Sequence, residues 1–261
     1  MAKATQARSR RTATTVSRSV PFGRLLSDFP NLSLPEMDLL SKCLCGERCS
    51  LGDGARPAEA TATRTVRASF IRFLALGGDA DNPVHEEGVM LEGAWVAGEL
   101  NLHHAKATAR LDLRNCHFEL TPIFVGANLP ELGFIGCAVP GLTASSMIVQ
   151  GGVFLKQGFV SNGPVNLAQA QIGGNLECAN ACFANPEGDA INADIAIVAG
   201  SIFLNAGFQA IGRVCLIGTQ IGQSLQCANG QFTSFLGSAV CADRMVVKGG
   251  GVLSQWLFCP G

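Results

Sequence analysis

The sequence predicts an all-β protein, a right-handed parallel β-helix of about seven coils, each of roughly 23–27 residues, with an N-terminal helical cap. The main observation is a 49-residue repeat: the run IGGNLECANACF, which starts at Ile172, returns as IGQSLQCANGQF at Ile221. Glycine supplies 31 of 261 residues, well above the usual ~7%. No apolar stripe of helical period follows position 90, so helical repeats are excluded. Repeats of this length with short alternating strands are typical of β-solenoids, and parallel connections are almost always right-handed.

Within each repeat one short pattern occurs twice. It begins with an apolar-x-apolar pair, continues after four residues with Val or Ile, and ends three residues later with a second pair. Each pair places two side chains on one face of a short strand, and the intervening Gly, Asn and Ala suit the turns. The pattern begins seven times, at Val89, Cys116, Leu142, Val165, Ile191, Val214 and Val240.

Stacking of coils at about 4.8 Å brings equivalent positions into ladders. The expected ladder of β-branched residues is Val96, Ile123, Val149, Ile172, Val198, Ile221 and Val247. The expected second ladder is Leu102, Leu129, Leu155, Cys178, Leu204, Cys227 and Leu253. The expected aromatic ladder is Phe134, Phe159, Phe183, Phe208 and Phe232.

Two helices are predicted before the solenoid. Ser33, a proline and Glu36 form a helix-start signal and predict a helix to about Cys45. The segment 65–76 is amphipathic and stops at two glycines, which predicts a second helix. Because the end coil of a solenoid exposes strand edges and core, we interpret these helices as its cap. The predicted domains are a disordered basic tail over 1–32, the helical N-terminal cap over 33–85 and the β-helix over 86–261.

The N-terminal segment 1–27 carries six Lys or Arg, eight Ser or Thr and no acid. It contains no apolar core segment, so it is not a Sec signal peptide. A disordered Ser/Thr-rich tail is the simpler interpretation. An uncleaved targeting segment, as in injected bacterial effectors, is the alternative that composition leaves open.

Most of the chain from Val66 onward carries a family resemblance. The stretch VRASFIRFLALGGDADNPVHEEGVMLEGAWVAGELNL and units such as GSIFLNAGFQAIGRVCLIGTQIG resemble a bacterial family of uncharacterised β-helix proteins. Some members carry the label membrane-associated oxidoreductase. The small residues before each Val or Ile corner, such as Ala94 and Ala170, are similar to those of pentapeptide-repeat proteins. The resemblance implies a right-handed β-helix, and the enzymatic label brings no motif that maps onto a residue of this chain.

The candidate metal ligands are few. The eleven cysteines are an odd number with irregular spacing, which favours a reducing compartment over a disulfide framework. Cys43, Cys45 and Cys49 form the one local thiol cluster but lack the second ligand pair that zinc requires, so no metal is predicted. His103 and His104 follow a predicted strand, and at least one ring is expected to be exposed.

Carboxylates and cofactor motifs give no stronger signal. Asp194 and Asp243 share one repeat position and are interpreted as turn or surface residues. Asn180 and Asn229 are expected to occupy left-handed turn positions. The nucleotide-binding and hydrolase signatures are missing from the sequence, so no cofactor and no catalytic residue are predicted.

Charge narrows the choice of partner. The net charge is −1 and residues 123–261 hold only ten charged side chains, which excludes a nucleic-acid footprint. We therefore expect a cytoplasmic, non-enzymatic scaffold that binds protein, with docking at a membrane surface as a variant. The alternatives are an enzyme, either carbohydrate-active or the oxidoreductase of the family label, and an effector exported through its N-terminal tail.

The C-terminal coil is the predicted interaction surface. The last residues hold an uncharged apolar cluster, and no amphipathic helix follows to cover the final coil. An uncovered strand edge recruits another edge, so a homodimer or a protein partner is expected there. The residues predicted to form this surface are Trp256, Leu257 and Phe258.

Overall fold

The computed structural model describes residues 24–249 and confirms a parallel β-solenoid of about seven turns. Each full coil passes through three sheets, which we call A, B and C, and the chain crosses sheet B on two successive legs. Neighbouring strands of these sheets pair in parallel, coil upon coil. The right hand of the coil stays a prediction from the chirality of parallel connections.

The strands are mostly two to four residues long. Sheet A contains Cys49–Ser50, Val89–Glu92, Leu111–Arg114, Leu132–Ile135, Val153–Phe154, Leu176–Glu177, Ile202–Phe203 and Leu225–Gln226. Sheet B contains Thr65–Arg67, Trp95–Ala97, His117–Phe118, Ala138–Val139, Leu142–Thr143, Val160–Ser161, Val165–Asn166, Cys182–Asn192, Gln209–Cys215, Gln231–Thr233 and Val240–Cys241. Sheet C contains Asn128–Leu129, Ile148–Val149, Gln171–Ile172, Ile197–Val198, Gln220–Ile221 and Val246–Val247.

The predicted β-branched ladder is confirmed from its third member onward. In sheet C, Val149 pairs with Ile172, and the register continues through Val198, Ile221 and Val247. The predicted place of Val96 and Ile123 is wrong. The residue that pairs with Val149 on the other side is Leu129.

The error has a physical cause in the length of the early coils. Val96 pairs with Phe118 in sheet B, whereas Ile123 bridges to Thr143. The two coils between Leu111 and Val153 in sheet A are shorter than each of the coils that follow. The 49-residue repeat that is visible in the sequence lies in these later, longer coils.

The second predicted ladder is likewise confirmed in the later coils and wrong in the earlier ones. Leu155, Cys178, Leu204 and Cys227 occupy one row as predicted, since the strand residues just before them pair in register. The row continues toward the N-terminus through Phe134 and Leu113, not through the predicted Leu129 and Leu102. The predicted member Leu253 lies outside the described residues.

Four phenylalanines form the aromatic stack. The ring centroids of Phe159, Phe183, Phe208 and Phe232 are 5.3, 5.5 and 5.3 Å apart in sequence order. Phe134, the predicted first member, contacts Phe118 and Phe124 instead. Successive rings of the stack lie alternately in two neighbouring rows of side chains. Phe183 has Ser161 and Ala210 as its register neighbours, so each large ring is packed against small residues of the adjoining coils.

The first helix, α1 (Leu34–Cys45), is confirmed with its predicted start. The Ser33 hydroxyl accepts a hydrogen bond from the Glu36 amide, and the Glu36 carboxylate accepts one from the Ser33 amide. This reciprocal pair satisfies two amides that the first turn leaves free. Gly46 ends the helix at φ 69°, where an added Cβ would lie 2.4 Å from the His85 ring.

The second helix, α2 (Ala68–Ala75), is shorter than predicted. Its expected first turn is the strand Thr65–Arg67, which pairs in parallel with Trp95–Ala97. This segment forms a strand and not a helical turn because the edge strand of the first full coil offers it backbone hydrogen bonds. The cap thus also contains two strands, Cys49–Ser50 and Thr65–Arg67, which extend sheets A and B.

The end of the predicted disordered tail packs against the cap. Residues 24–32 include a short 3-10 helix, Leu26–Asp28, and Phe29 is buried. The Phe29 ring lies 5.3 Å from both Phe70 and Phe73 of α2, so its burial of apolar surface holds this segment against the cap.

Candidate functional site

The outer face of sheet A changes character along the solenoid. Its central row runs from coil to coil through Met90, Asp112, Gly133, Phe154, Glu177, Phe203 and Gln226. The rows on either side bring Arg110 and Glu131 to one flank and Arg114 and Ile135 to the other. Charged side chains are therefore concentrated on the earlier coils of this face.

A hollow of about 230 Å³ opens where the central row has no side chain. We call it the Gly133 groove, and it is lined by Arg110, Asp112, Arg114, Glu131, Gly133, Ile135, Phe154 and Lys156. An added Cβ on Gly133 would meet its nearest atom at 3.5 Å, an ordinary contact. The fold does not require glycine there, and glycine inside a strand often marks a close approach by another group.

One wall of the groove is the buried carboxylate of Asp112. It lies 2.6 Å from Nη2 of Arg48 and accepts two hydrogen bonds from Arg114, at 3.0 and 3.2 Å. Burial raises the pKa of Asp112, but the hydrogen bonds from Arg114 and Arg48 outweigh it, and the pKa lies below its ordinary value. Asp112 therefore stays ionised at neutral pH and fixes both guanidinium groups.

The other cations of the groove are also held by carboxylates. Arg110 lies 2.5 Å from Glu87 and 3.6 Å from Glu131. Lys156 lies 2.5 Å from Glu177, and its ammonium stands 4.8 Å from the centre of the Phe154 ring. Opposite charges thus alternate around an apolar floor of Gly133, Ile135 and Phe154. Side chains fixed in advance lose little entropy when a partner binds.

The predicted thiol cluster is divided by the fold. Cys43 and Cys49 are buried, whereas Cys45 is exposed. Burial raises the pKa of the Cys43 thiol to about 12 and raises that of Cys49, whose Sγ lies 3.3 Å from Asp38. Within residues 24–249, no group of three or more His, Cys, Asp or Glu is placed to hold a metal ion.

The other predicted candidates lie at turns. Asn180 and Asn229 have φ of 52° and 60°, which confirms their left-handed positions. His103 and His104 are both exposed, and their rings stack at 4.2 Å. Asp194 lies in a turn, as expected, and its carboxylate accepts a hydrogen bond at 2.8 Å from the Ile217 amide of the next coil.

Asp243, the other member of the predicted carboxylate pair, is exposed on the last described coil. The predicted surface of Trp256, Leu257 and Phe258 lies outside the described residues. Sequence reasoning missed the Gly133 groove. Its signal is the run RLDLR at 110–114, in which three charges alternate with buried leucines and so share one face of a strand.

No family model, curated protein or solved structure matches this chain. Its resemblance to the uncharacterised bacterial β-helix family therefore stays a prediction. In the described part of the chain neither helix reaches the length and apolar character needed to cross a bilayer. The fold defines the class, a parallel β-solenoid, and the Gly133 groove is a hollow on its surface where several ion pairs meet.

Proposed function

We propose that this chain is a non-enzymatic β-helix scaffold that binds another protein through the Gly133 groove. The observation that carries the proposal is the missing side chain at Gly133, which leaves an apolar floor inside a ring of paired charges. An apolar centre with a polar rim is the usual anatomy of a protein interface.

The size and the charge pattern both favour a protein partner over a small molecule. The hollow of about 230 Å³ lies below the range of roughly 300–1,000 Å³ that is usual for small-ligand pockets. It would accept one apolar side chain from a partner. Alternating fixed charges around that position select the partner's charge pattern and repel mismatched surfaces.

The test places a photo-crosslinking amino acid at Ile135, which lines the groove, or at Asn205, which occupies the same row three coils further on. We expect a discrete protein adduct in source cells from position 135 and none from position 205. Gly133→Val should abolish the adduct, because its side chain fills the hollow without backbone strain. Gln226→Val, in the same row as Gly133, is the matched control and should leave the adduct intact.

The adduct must then behave as a charge-dependent complex. With the identified partner purified, Lys156→Glu should weaken its binding about tenfold, the scale of a coupled charge pair, and added salt should weaken the unsubstituted complex. Equal adducts from positions 135 and 205, or an adduct unaffected by Gly133→Val, would show that the groove is not the binding surface.

A second candidate interaction is self-association through the last described coil. Within residues 24–249, the strands Leu225–Gln226, Val240–Cys241 and Val246–Val247 are paired only with the preceding coil. Phe235 and Leu236, in the loop before the second of these strands, are 73% and 58% exposed. The occupant we propose is a second copy of the chain, since a two-fold contact needs only this one surface.

Light scattering at tens of micromolar tests this second candidate. The unsubstituted chain should be a dimer, and Phe235→Glu combined with Leu236→Glu should be a folded monomer. Ile148→Glu combined with Ile197→Glu is the control, because it charges two exposed apolar residues on sheet C and should leave the dimer intact. A monomeric unsubstituted chain would rule the dimer out.

A further inference from the structure

Two aromatic side chains stack on the outer face of sheet B. Trp95 and His117 are register neighbours on adjacent coils, with ring centroids 4.0 Å apart and planes inclined by 9°. Both side chains are half-buried. The two rings are nearly parallel and closer than the roughly 4.5–7 Å usual for aromatic pairs, so their faces are in direct contact.

The stack is interrupted at the next coil. The register neighbour of His117 on its far side is Ala138, whose methyl group cannot cover the imidazole ring. A hollow of about 180 Å³ opens at this point, lined by His117, Glu119, Ala138 and Asn162 together with Pro140. Since coils are spaced at about 4.8 Å, a flat ring above Ala138 would lie at stacking distance from His117.

The rim of the hollow offers polar groups to the edge of such a ring. One oxygen of the Glu119 carboxylate accepts a hydrogen bond from the Gly98 amide at 2.7 Å, which fixes the carboxylate and leaves its second oxygen as an acceptor. Asn162 is exposed and carries an amide that both donates and accepts. A carboxylate at the rim selects a ligand edge that carries N–H or O–H and disfavours an anion.

We infer that the hollow beside His117 is a binding site for one aromatic ring with an N–H or O–H on its edge, an indole or a phenol, stacked as the third layer on Trp95 and His117. The site is separate from the Gly133 groove, since the two lie on different sheets, and the inference does not rest on the proposed function. Burial and then the charge of Arg56 lower the pKa of His117, so its ring is neutral at pH 7.

Nuclear magnetic resonance tests the site with indole and p-cresol as probes. The chain has two tryptophans, so Trp256→Phe leaves the Trp95 indole N–H as a single reporter. We expect a saturable shift of that signal with both aromatic probes and none with cyclohexanol. Stacking on an aromatic side chain contributes enough that His117→Ala should weaken binding about tenfold or more.

A variant that fills the hollow distinguishes binding at this site from non-specific binding of aromatic compounds elsewhere on the protein. Ala138→Leu should block the hollow and abolish the saturable shift. Gln209→Leu is the matched control, since it places the same side chain in the same row three coils further on and should leave binding unchanged. Circular dichroism establishes that each variant is folded.

The source of the ring is settled by a third probe, the blocked peptide acetyl-Gly-Trp-Gly-amide. If the peptide binds at least as tightly as indole, the site takes an aromatic side chain of a polypeptide. If only the free probes bind, it takes a small molecule, and either result supports the site. Loss of the saturable shift in Gln209→Leu, its survival in Ala138→Leu, or no shift with any probe would overturn the inference.

Discussion

The two ends of the described solenoid are built differently. At the N-terminal end α1 and α2 cover the first coil, and core residues such as Leu39, Phe70 and Val89 are fully buried. In the last described coil the corresponding inward residues, among them Val240 and Val247, are only partly buried. Within residues 24–249, the chain itself completes one end, whereas the other presents half-covered core.

The N-terminal end also contains an ion pair with a buried carboxylate. The N-terminal cap holds the Glu36 carboxylate, 2% exposed, against Nε and Nη2 of Arg67 at 2.7 and 2.8 Å. The Arg67 and Ser33 amides donate to the same carboxylate. A buried charge with all these partners ties α1 to the strand that begins sheet B. This solenoid end is therefore secured by specific polar contacts in addition to apolar packing.

The largest expected effect compares one ladder position in the middle with one at the last coil. Val198 is 1% exposed and Val247 is partly buried, in the same row of sheet C. Val198→Asp should lower the free energy of unfolding by about 3–5 kcal/mol, the cost of a buried unpaired charge. Val247→Asp should cost less than half of that, because solvent reaches its carboxylate. Urea unfolding measures both.

Ile197→Asp is the control for this pair, since Ile197 points outward from the same strand and is 45% exposed. It should leave stability within about 0.5 kcal/mol of the parent, as surface substitutions usually do. Equal losses for Val198→Asp and Val247→Asp would show that the last coil is covered as fully as the middle.

The next effect tests the polar anchor of the cap. Glu36→Gln removes the charge that faces Arg67 and should cost about 2 kcal/mol. This is less than the 3–5 kcal/mol of a fully buried broken pair, because the Arg67 side chain is 38% exposed. Glu47→Gln, which removes the exposed partner of Lys42, should cost no more than about 0.5 kcal/mol. Thermal unfolding that does not distinguish the two variants would contradict this role of Glu36.

The lowered pKa of the Glu36 carboxylate also predicts a loss of stability in acid. Burial raises the pKa of Glu36, but hydrogen bonds from Arg67 and Ser33 lower it more, so the net shift is downward. Its stabilising contribution is present above the unfolded-state pKa of about 4.3 and is lost as pH falls below that value. Melting temperatures between pH 3 and 7 should therefore fall more gently in acid for Glu36→Gln than for the parent. Parallel curves would argue against a lowered pKa.

The smallest effect concerns a single arginine that joins the cap to the side of the solenoid. Arg56 donates to the carbonyl oxygens of Gly136 and Gly158, at 2.9 and 3.1 Å, on two successive coils. Arg56→Ala should lower stability by about 1 kcal/mol, the usual net value for such hydrogen bonds. Hydrogen exchange should rise in the loop that carries residue 56 and not in the last coil. An unchanged exchange pattern would mean that Arg56 does not hold the loop.

Local signals in the sequence predicted several elements correctly. Ser33 and Glu36 predict the start of α1, because a helix start depends on residues only three positions apart. The rows from Val149 to Val247 are predicted because each later coil repeats the same apolar spacing. Asn180 and Asn229 are found at their turns for the same reason.

The register of the first coils and both surface hollows depended on the tertiary structure. An apolar-x-apolar pair fits any inward position, so Val96 and Ile123 match the pattern equally well in several registers. Only pairing with the neighbouring coils places Val96 beside Phe118. The Gly133 groove likewise joins side chains from successive coils, which are distant from one another along the chain. The sequence determined that this chain coils and which faces are apolar, because alternation is local; the stacking of coils decided which side chains meet, because that contact is made across the sheet.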